Sequence, residues 1–259
     1  MRSLILLIII SIFLGIILSF LIVPTTPKIE IPFPTKEISK QIQTIVPINI
    51  TYESPTVATL KVPAVDNEGK GVITTLKVRA IPGEGRTLVD IHQLLFWVDT
   101  QHSIRVAKKV AEAITGINTS NIDLIYSIET NASIIGGESA GAAITIATIA
   151  AIQNKTLRKD VVITGTIQED GSIGQVGAVL EKGRASKNAG ASLFLVPVGQ
   201  GKYKEYVPEI KCKEYSIAGF YQKICTSEYK LKEVDISKDV GIEVKEVSDI
   251  KEAMKYFFE

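Results

Sequence analysis

The stretch Ile134-Ile-Gly-Gly-Glu-Ser139-Ala-Gly-Ala-Ala143 sets a serine between glycines and runs straight into an apolar segment ending near Ile152. Ala140 to Ile152 is almost entirely Ala, Ile and Thr, which predicts a helix buried on all sides with Ser139 at its N-terminus. Such a helix start leaves backbone N–H groups free beside the hydroxyl, and the positive end of the helix dipole suits an oxyanion. Ser139 is therefore either a nucleophile with its anion hole built in or an ordinary N-cap, a position serine favours.

Gly137-Glu-Ser139-Ala-Gly141 fits the G-x-S-x-G pattern of hydrolase elbows, which place an acid and then a histidine after the serine. Both histidines, His92 and His102, lie upstream, so that order is excluded. An activated Ser139 then needs an upstream histidine or a lysine whose pKa burial has lowered. His102 falls in the first turn of a helix predicted from Asp99 or Thr100 to Thr115 and reads as an exposed helix residue. Gln175-Val-Gly-Ala-Val-Leu-Glu-Lys182-Gly-Arg-Ala-Ser-Lys-Asn-Ala-Gly190 offers the lysine, on a helix predicted from Ala178 to Asn188 and stopped by Gly190. At about 100° per residue Lys182 shares its face with Ala178, Val179, Ala185, Ser186 and Ala189, while Glu181, Arg184 and Lys187 point elsewhere. A lysine on the apolar face is either a snorkelling side chain or a general base.

Together with Asp160-Val-Val-Ile-Thr164-Gly-Thr-Ile167 between them, these motifs resemble the proteolytic domain of Lon proteases, over about Val57 to Pro197 plus the C-terminal helix. That family uses a Ser-Lys dyad, with the serine in a G-x-S-A-G or G-D-S-A-S context and the lysine at this interval in a Pro-[IV]-Gly-Gly-x-x-x-Lys helix start. Ser139 and Lys182 match residue by residue, and Thr164 matches the threonine beside the lysine in the family's D-V-A-M-T-G-E-I. Glu138 stands where bacterial members have Pro and archaeal members usually Asp. Gln175 and Ala178 replace the usual Pro and second Gly, and the strand Asp123 to Ile128 lacks the histidine often found there.

The resemblance implies an α/β fold of α+β type, a mixed sheet with packed helices, and a serine endopeptidase without cofactor. Ser139 would attack the scissile carbonyl, Lys182 would take its proton, Thr164 would orient Lys182, and Gly137 and Glu138 would support the turn. It also implies assembly as a homo-oligomer, a ring of six. The rival readings are a catalytically inactive Lon-like binding or scaffold protein at the membrane and a non-peptidase hydrolase using the same dyad.

A chain of 259 residues with 46% hydrophobic content can bury a full core. A net charge of +1 gives no nucleic-acid signal, and two cysteines with two histidines leave no zinc cluster. Neither G-x-G-x-x-G nor a Walker A pattern occurs. Ser3 to Val23 is uncharged and apolar, long enough as a helix to span about 31 Å, so residues 1–23 read as one N-terminal transmembrane anchor, with a cleaved signal as the alternative, and the protease domain on the extracytoplasmic side. Residues 24–55 hold six of the ten prolines and read as an extended tether.

The folded protease domain is expected over 56–259. Strands are predicted at Thr56 to Val62, Val72 to Ile81, Thr87 to Leu94, Ile122 to Ile128, Val161 to Ile167, Ser172 to Val176 and Leu193 to Pro197, with a terminal helix from Ser248 to Phe258 capped by Ser248. Pro63 ends the first strand or marks it as an edge. Residues 199–241 depart from the family and read as an inserted surface lobe. Within it, Cys212 and Cys225 would form a disulfide if the domain faces an oxidising compartment.

Overall fold

The computed structural model describes residues 55–90, 98–130, 137–217 and 220–258. The apolar run 3–23, the tether up to residue 54, and His92 lie outside these residues. Among the described residues no helix is long and apolar enough to cross a membrane.

Alternation of small apolar and polar residues makes β1 (Thr56–Val65), with Ala58, Leu60 and Val62 turned into the core. The turn after it closes because the Asp66 carboxylate accepts from the amides of Glu68 and Lys70, and the chain returns antiparallel as β2 (Gly71–Pro82). β1 continues through Pro63, which a strand can hold when it lies at a sheet edge. It does lie there: β3 (Thr87–Val89) and β4 (Ile122–Glu129) complete a sheet in the order β1-β2-β4-β3. The strand expected from Thr87 is described as far as Val89.

The Pro82-Gly-Glu-Gly-Arg86 turn is gripped by one buried carboxylate. Asp123 Oδ1 accepts from the amides of Glu84 and Arg86, both at 2.8 Å, and Oδ2 accepts from Arg86 Nε at 2.8 Å. The Arg86 guanidinium, with those amides, holds the Asp123 carboxyl at about 2.

Helix α2 (Gly141–Gln153) packs against this sheet, and helix α1 (Val98–Thr115) packs against α2. Every residue of α2 from Gly141 to Ile152 is buried. Its five alanines favour a helix while its isoleucines and threonines do so less, so burial adds to propensity in sustaining it. Ile144, Ile146, Ile149 and Ile152 are almost wholly covered, each burial worth about 2 kcal/mol. The hydroxyls of Thr145 and Thr148 turn back to the carbonyls of Gly141 and Ile144, and Thr148 also meets the buried Tyr126 hydroxyl at 3.0 Å. Both threonine hydroxyls are thereby satisfied in the core, whereas Gln153 Oε1 at the end of the helix is buried without a partner among the described residues.

A second, all-parallel sheet is formed by β5 (Val161–Ile163), β8 (Leu193–Pro197) and β11 (Glu243–Val247) in the order β11-β8-β5. The continuous strand expected from Val161 to Ile167 is broken at Thr164 and Gly165, where the chain bonds to the serine turn; β6 (Thr166–Ile167) then pairs with β7 (Ile173–Gly174) as a short hairpin. Helix α3 (Val179–Asn188) lies between β7 and β8. After β8 come two strands of sixteen residues, β9 (Lys202–Ile217) and β10 (Phe220–Asp235), paired only with each other, and then α4 (Ile236–Val240). The predicted lobe is thus a long two-stranded ribbon, in which a disulfide joins Cys212 and Cys225 directly across the register. The last helix, α5 (Ile250–Phe257), is capped by Asp249, whose carboxylate accepts from Glu252 N; Ser248 bonds the Glu252 carboxylate instead of capping.

Because the Asp123 carboxyl titrates lower in the folded chain than its ordinary 3.8, its contribution is complete above that value and is lost as pH falls toward about 2. Asp123→Ala should lower Tm at neutral pH, whereas Lys109→Ala, which removes one exposed partner of Glu169, should leave it nearly unchanged. Thermal melts of the two variants check this, and the Asp123→Ala deficit should shrink in acid.

Candidate active site

Ser139 sits one step before the buried helix, in a single 3-10 turn, Glu138–Ala140. The N-cap of α2 is Ala140, and no side chain caps either the turn or the helix. The ordinary N-cap reading of Ser139 is thereby removed. Gly137 opens the turn at φ 115°, a conformation that an L side chain resists. The amides of Glu138 and Ser139 head the turn and meet no acceptor among the described residues.

Three hydrogen bonds hold this turn to the end of β5. Gly165 N donates to the Ser139 carbonyl at 2.9 Å, Thr164 Oγ1 donates to the same carbonyl at 3.2 Å, and Ala142 N donates to the Gly165 carbonyl at 3.0 Å. Thr164 is itself fully buried, with its amide bonded to the Leu195 carbonyl at 3.1 Å. Thr164 therefore positions the serine turn. Half-exposed Ser139 opens onto an apolar groove lined by Val62, Ala64, Val65, Thr74, Leu76 and Ile144, among others.

Lys182 is on the buried face of α3 with Val179, Gly183, Ala185 and Ser186, as its helical phase requires. Glu181, Arg184 and Lys187 lie outside that buried set, and Arg184 pairs with Asp239. Only 3% of Lys182 is exposed. Burial alone pushes its ammonium down from 10.5 to about 8, with no carboxylate or hydrogen bond acting the other way. Lys182 does not line the groove beside Ser139. The end of the first hairpin links them: Val65, in the groove, pairs with Gly71, and a Cβ on Gly71 would lie 2.0 Å from the Glu181 carbonyl oxygen. The helix carrying Lys182 and the turn carrying Ser139 are therefore seated on the same end of one hairpin.

Two features escape the sequence. Gly71 opens β2, and its missing side chain is what lets α3 approach; the signal available was a glycine at a strand start. Ala178, four residues before Lys182, is the αL residue that precedes α3, with φ 55° and ψ 40°. That conformation explains why a glycine would suit this position. Cys212 and Cys225 lie on the ribbon, apart from this site. Among the described residues no cluster of His, Cys, Asp and Glu could hold a metal ion.

Residues 120–224 match the family model of the Lon protease (S16) C-terminal proteolytic domain, a span that contains Ser139, Thr164 and Lys182. The chain is 31% identical over 112 residues to the Lon protease of Phenylobacterium zucineum (strain HLK1), covering 42% of this chain and 14% of that protein. It is 28% identical over 107 residues to the archaeal Lon protease of Methanocaldococcus jannaschii, covering 38% and 16%. A shorter match of 73 residues, 36% identical, is to the Lon protease of Ureaplasma parvum serovar 3, covering 28% and 9%. The chain thus spans less than a sixth of the length of these relatives.

Ala178→Gly should stabilise the domain by about 1 kcal/mol by relieving the αL conformation, read as a raised denaturation midpoint in urea. Gly71→Ala should act oppositely, by about 1–3 kcal/mol, because backbone of α3 must shift. Urea melts of the two variants beside wild type decide both.

Proposed function

We propose that the chain is a serine endopeptidase in which Ser139 is the nucleophile and Lys182 the general base. The observation that carries this reading is the buried Lys182, its ammonium lowered to about 8 by desolvation, on the same hairpin end as an uncapped Ser139 hydroxyl. Neutral Lys182 takes the Ser139 proton as Oγ bonds the scissile carbonyl carbon. The carbonyl π pair moves to oxygen, where the amides of Glu138 and Ser139 supply donors. Collapse of the intermediate breaks the C–N bond, and Lys182 returns the proton to the departing amine. Water, deprotonated by Lys182, then hydrolyses the acyl-serine. The apolar lining of the groove favours an apolar side chain beside the scissile bond.

The reading extends to the substrate and the setting. On this reading the domain itself, which carries no G-x-x-x-x-G-K-[ST] stretch, cleaves peptides or unfolded segments without needing ATP for the bond-breaking step. The uncharged run at 3–23 anchors the chain in a membrane, with the proline-rich tether holding the domain off it on the extracytoplasmic face.

Purified chain should cleave an unfolded substrate such as casein without nucleotide, and Ser139→Ala should abolish cleavage; strict dependence on ATP would contradict the proposal. Lys182→Met should also abolish it, yet raise stability at neutral pH. The unfolded chain binds the lysine proton more tightly than the folded one, so the penalty is absent above 10.5, grows as pH falls toward about 8, and is constant below. At neutral pH it is about 3 kcal/mol, less where water reaches the site. Melting curves across this range check the sign: the advantage of Lys182→Met should vanish in strong alkali.

A further inference from the structure

Residues 215–222, at the far end of the β9–β10 ribbon, carry no charge and include Tyr215, Ile217, Phe220 and Tyr221. The register pairs Tyr215 with Gln222, Ser216 with Tyr221 and Ile217 with Phe220. Tyr221 is 88% exposed and Tyr215 46%, so one aromatic ring from each strand stands in solvent at the tip. Just behind them the disulfide Cys212–Cys225 clamps the two strands, and Lys211, Lys213 and Lys223 lie at neighbouring levels of the ladder. Charge is sorted along the ribbon rather than across it. Residues 211–226 hold three lysines against one glutamate, whereas the remainder of 202–235 holds four lysines against five carboxylates. Lys223 pairs with Glu214 and Lys211 with Glu228, while Lys213 meets no carboxylate among the described residues.

We infer that the ribbon tip inserts into the surface of an anionic lipid bilayer. An uncharged aromatic end with lysines ranged behind it matches that surface: tyrosine rings sit at the headgroup level, and lysine stems let their ammonium groups reach the phosphates. A nucleic acid would want cations among the rings, whereas residues 215–222 have none. Depth agrees as well. The three paired levels beyond Glu214–Lys223 reach about 10 Å, enough to cross a headgroup layer roughly 5–8 Å thick and touch the acyl chains. The other end of the ribbon is fixed to the domain. Gly201 N donates to the Glu246 carboxylate at 2.8 Å, Ile236 N donates to the Gly201 carbonyl at 3.0 Å, and Tyr203 packs against the apolar cluster that includes Val179 of α3. Held at its tip, the ribbon is a strut of up to roughly 40 Å between the bilayer and the cluster beside the Lys182 helix. An anchor at 3–23 would keep such a surface within reach, but the chemistry of the tip does not depend on it.

Quenching of tryptophan emission by brominated lipid tests this on the full chain. Trp97, the single tryptophan, is replaced (Trp97→Phe), and a new one is placed at the tip (Tyr221→Trp) or near the root (Lys204→Trp). In vesicles of phosphatidylcholine and phosphatidylglycerol, lipids brominated high on the acyl chain should remove most of the emission of Tyr221→Trp and leave that of Lys204→Trp unchanged. Tyr215→Trp, on the other strand, should behave as Tyr221→Trp does. Omitting phosphatidylglycerol, or adding Lys211→Gln with Lys213→Gln, should reduce the quenching; indifference to both would overturn the choice of an anionic surface. A vesicle-bound chain in which neither tip tryptophan is quenched, or in which the root is quenched equally, would overturn the inference. So would tip emission that moves to shorter wavelength without lipid as chain concentration rises, because a second copy would then cover the tip. Flotation in alkaline carbonate keeps the anchor separate. A chain that floats there with an unquenched tip refutes the tip alone, one stripped there but quenched in neutral buffer refutes the anchor alone, and one that never binds refutes both.

Discussion

Everything at the candidate site follows from one helix that has no solvent face. From Gly141 to Ile152 each side chain of α2 is buried, so the helix cannot rotate or slide without opening the core. The residues just before it therefore have a fixed position, and they are also where this buried element meets the surface. Ser139 occupies that point. The bonds from Gly165 and Thr164 to its carbonyl tie the turn to β5 and leave the hydroxyl without a partner among the described residues, available to act as a nucleophile.

Lys182 is a cost accepted by the same structure. An ammonium enclosed by α3 and its neighbours, with no counter-ion among the described residues, destabilises the fold, and an apolar residue of similar bulk would be better tolerated there. Buried groups with displaced protonation equilibria are common where chemistry is done. The αL conformation of Ala178 adds backbone strain just upstream, and the close approach at Gly71 transmits the position of α3 to the hairpin that borders the Ser139 groove. Strain and desolvation are both concentrated around Lys182.

Much of this was legible in the residues. Alternation in Thr56 to Val62 and in Val72 to Ile81 marked the first hairpin, the all-apolar run after Ser139 marked the central helix, and helical phase put Lys182 inward. What was not legible depended on contacts between distant segments. The break at Thr164 and Gly165 arises because the serine turn competes for their hydrogen bonds, which no local pattern records. The strand Glu243–Val247 has too little apolar alternation to declare itself and exists because β8 offers it a parallel edge. The ribbon's strands were hidden by interspersed lysines and glutamates, and their length shows only once the pairing of Lys202–Ile217 with Phe220–Asp235 is known. Asp249 replaced Ser248 as a cap because the neighbouring serine was drawn to Glu252.

The account rests on Ser139 and Lys182 acting as one unit, and the most direct test is the rate at which a serine-directed fluorophosphonate labels Ser139 as a function of pH. Labelling should rise with a midpoint near the lowered lysine value of about 8 and become slow and independent of pH over that range in Lys182→Met. A profile in the wild type with no inflection below 10, or one that Lys182→Met leaves unchanged, would contradict it.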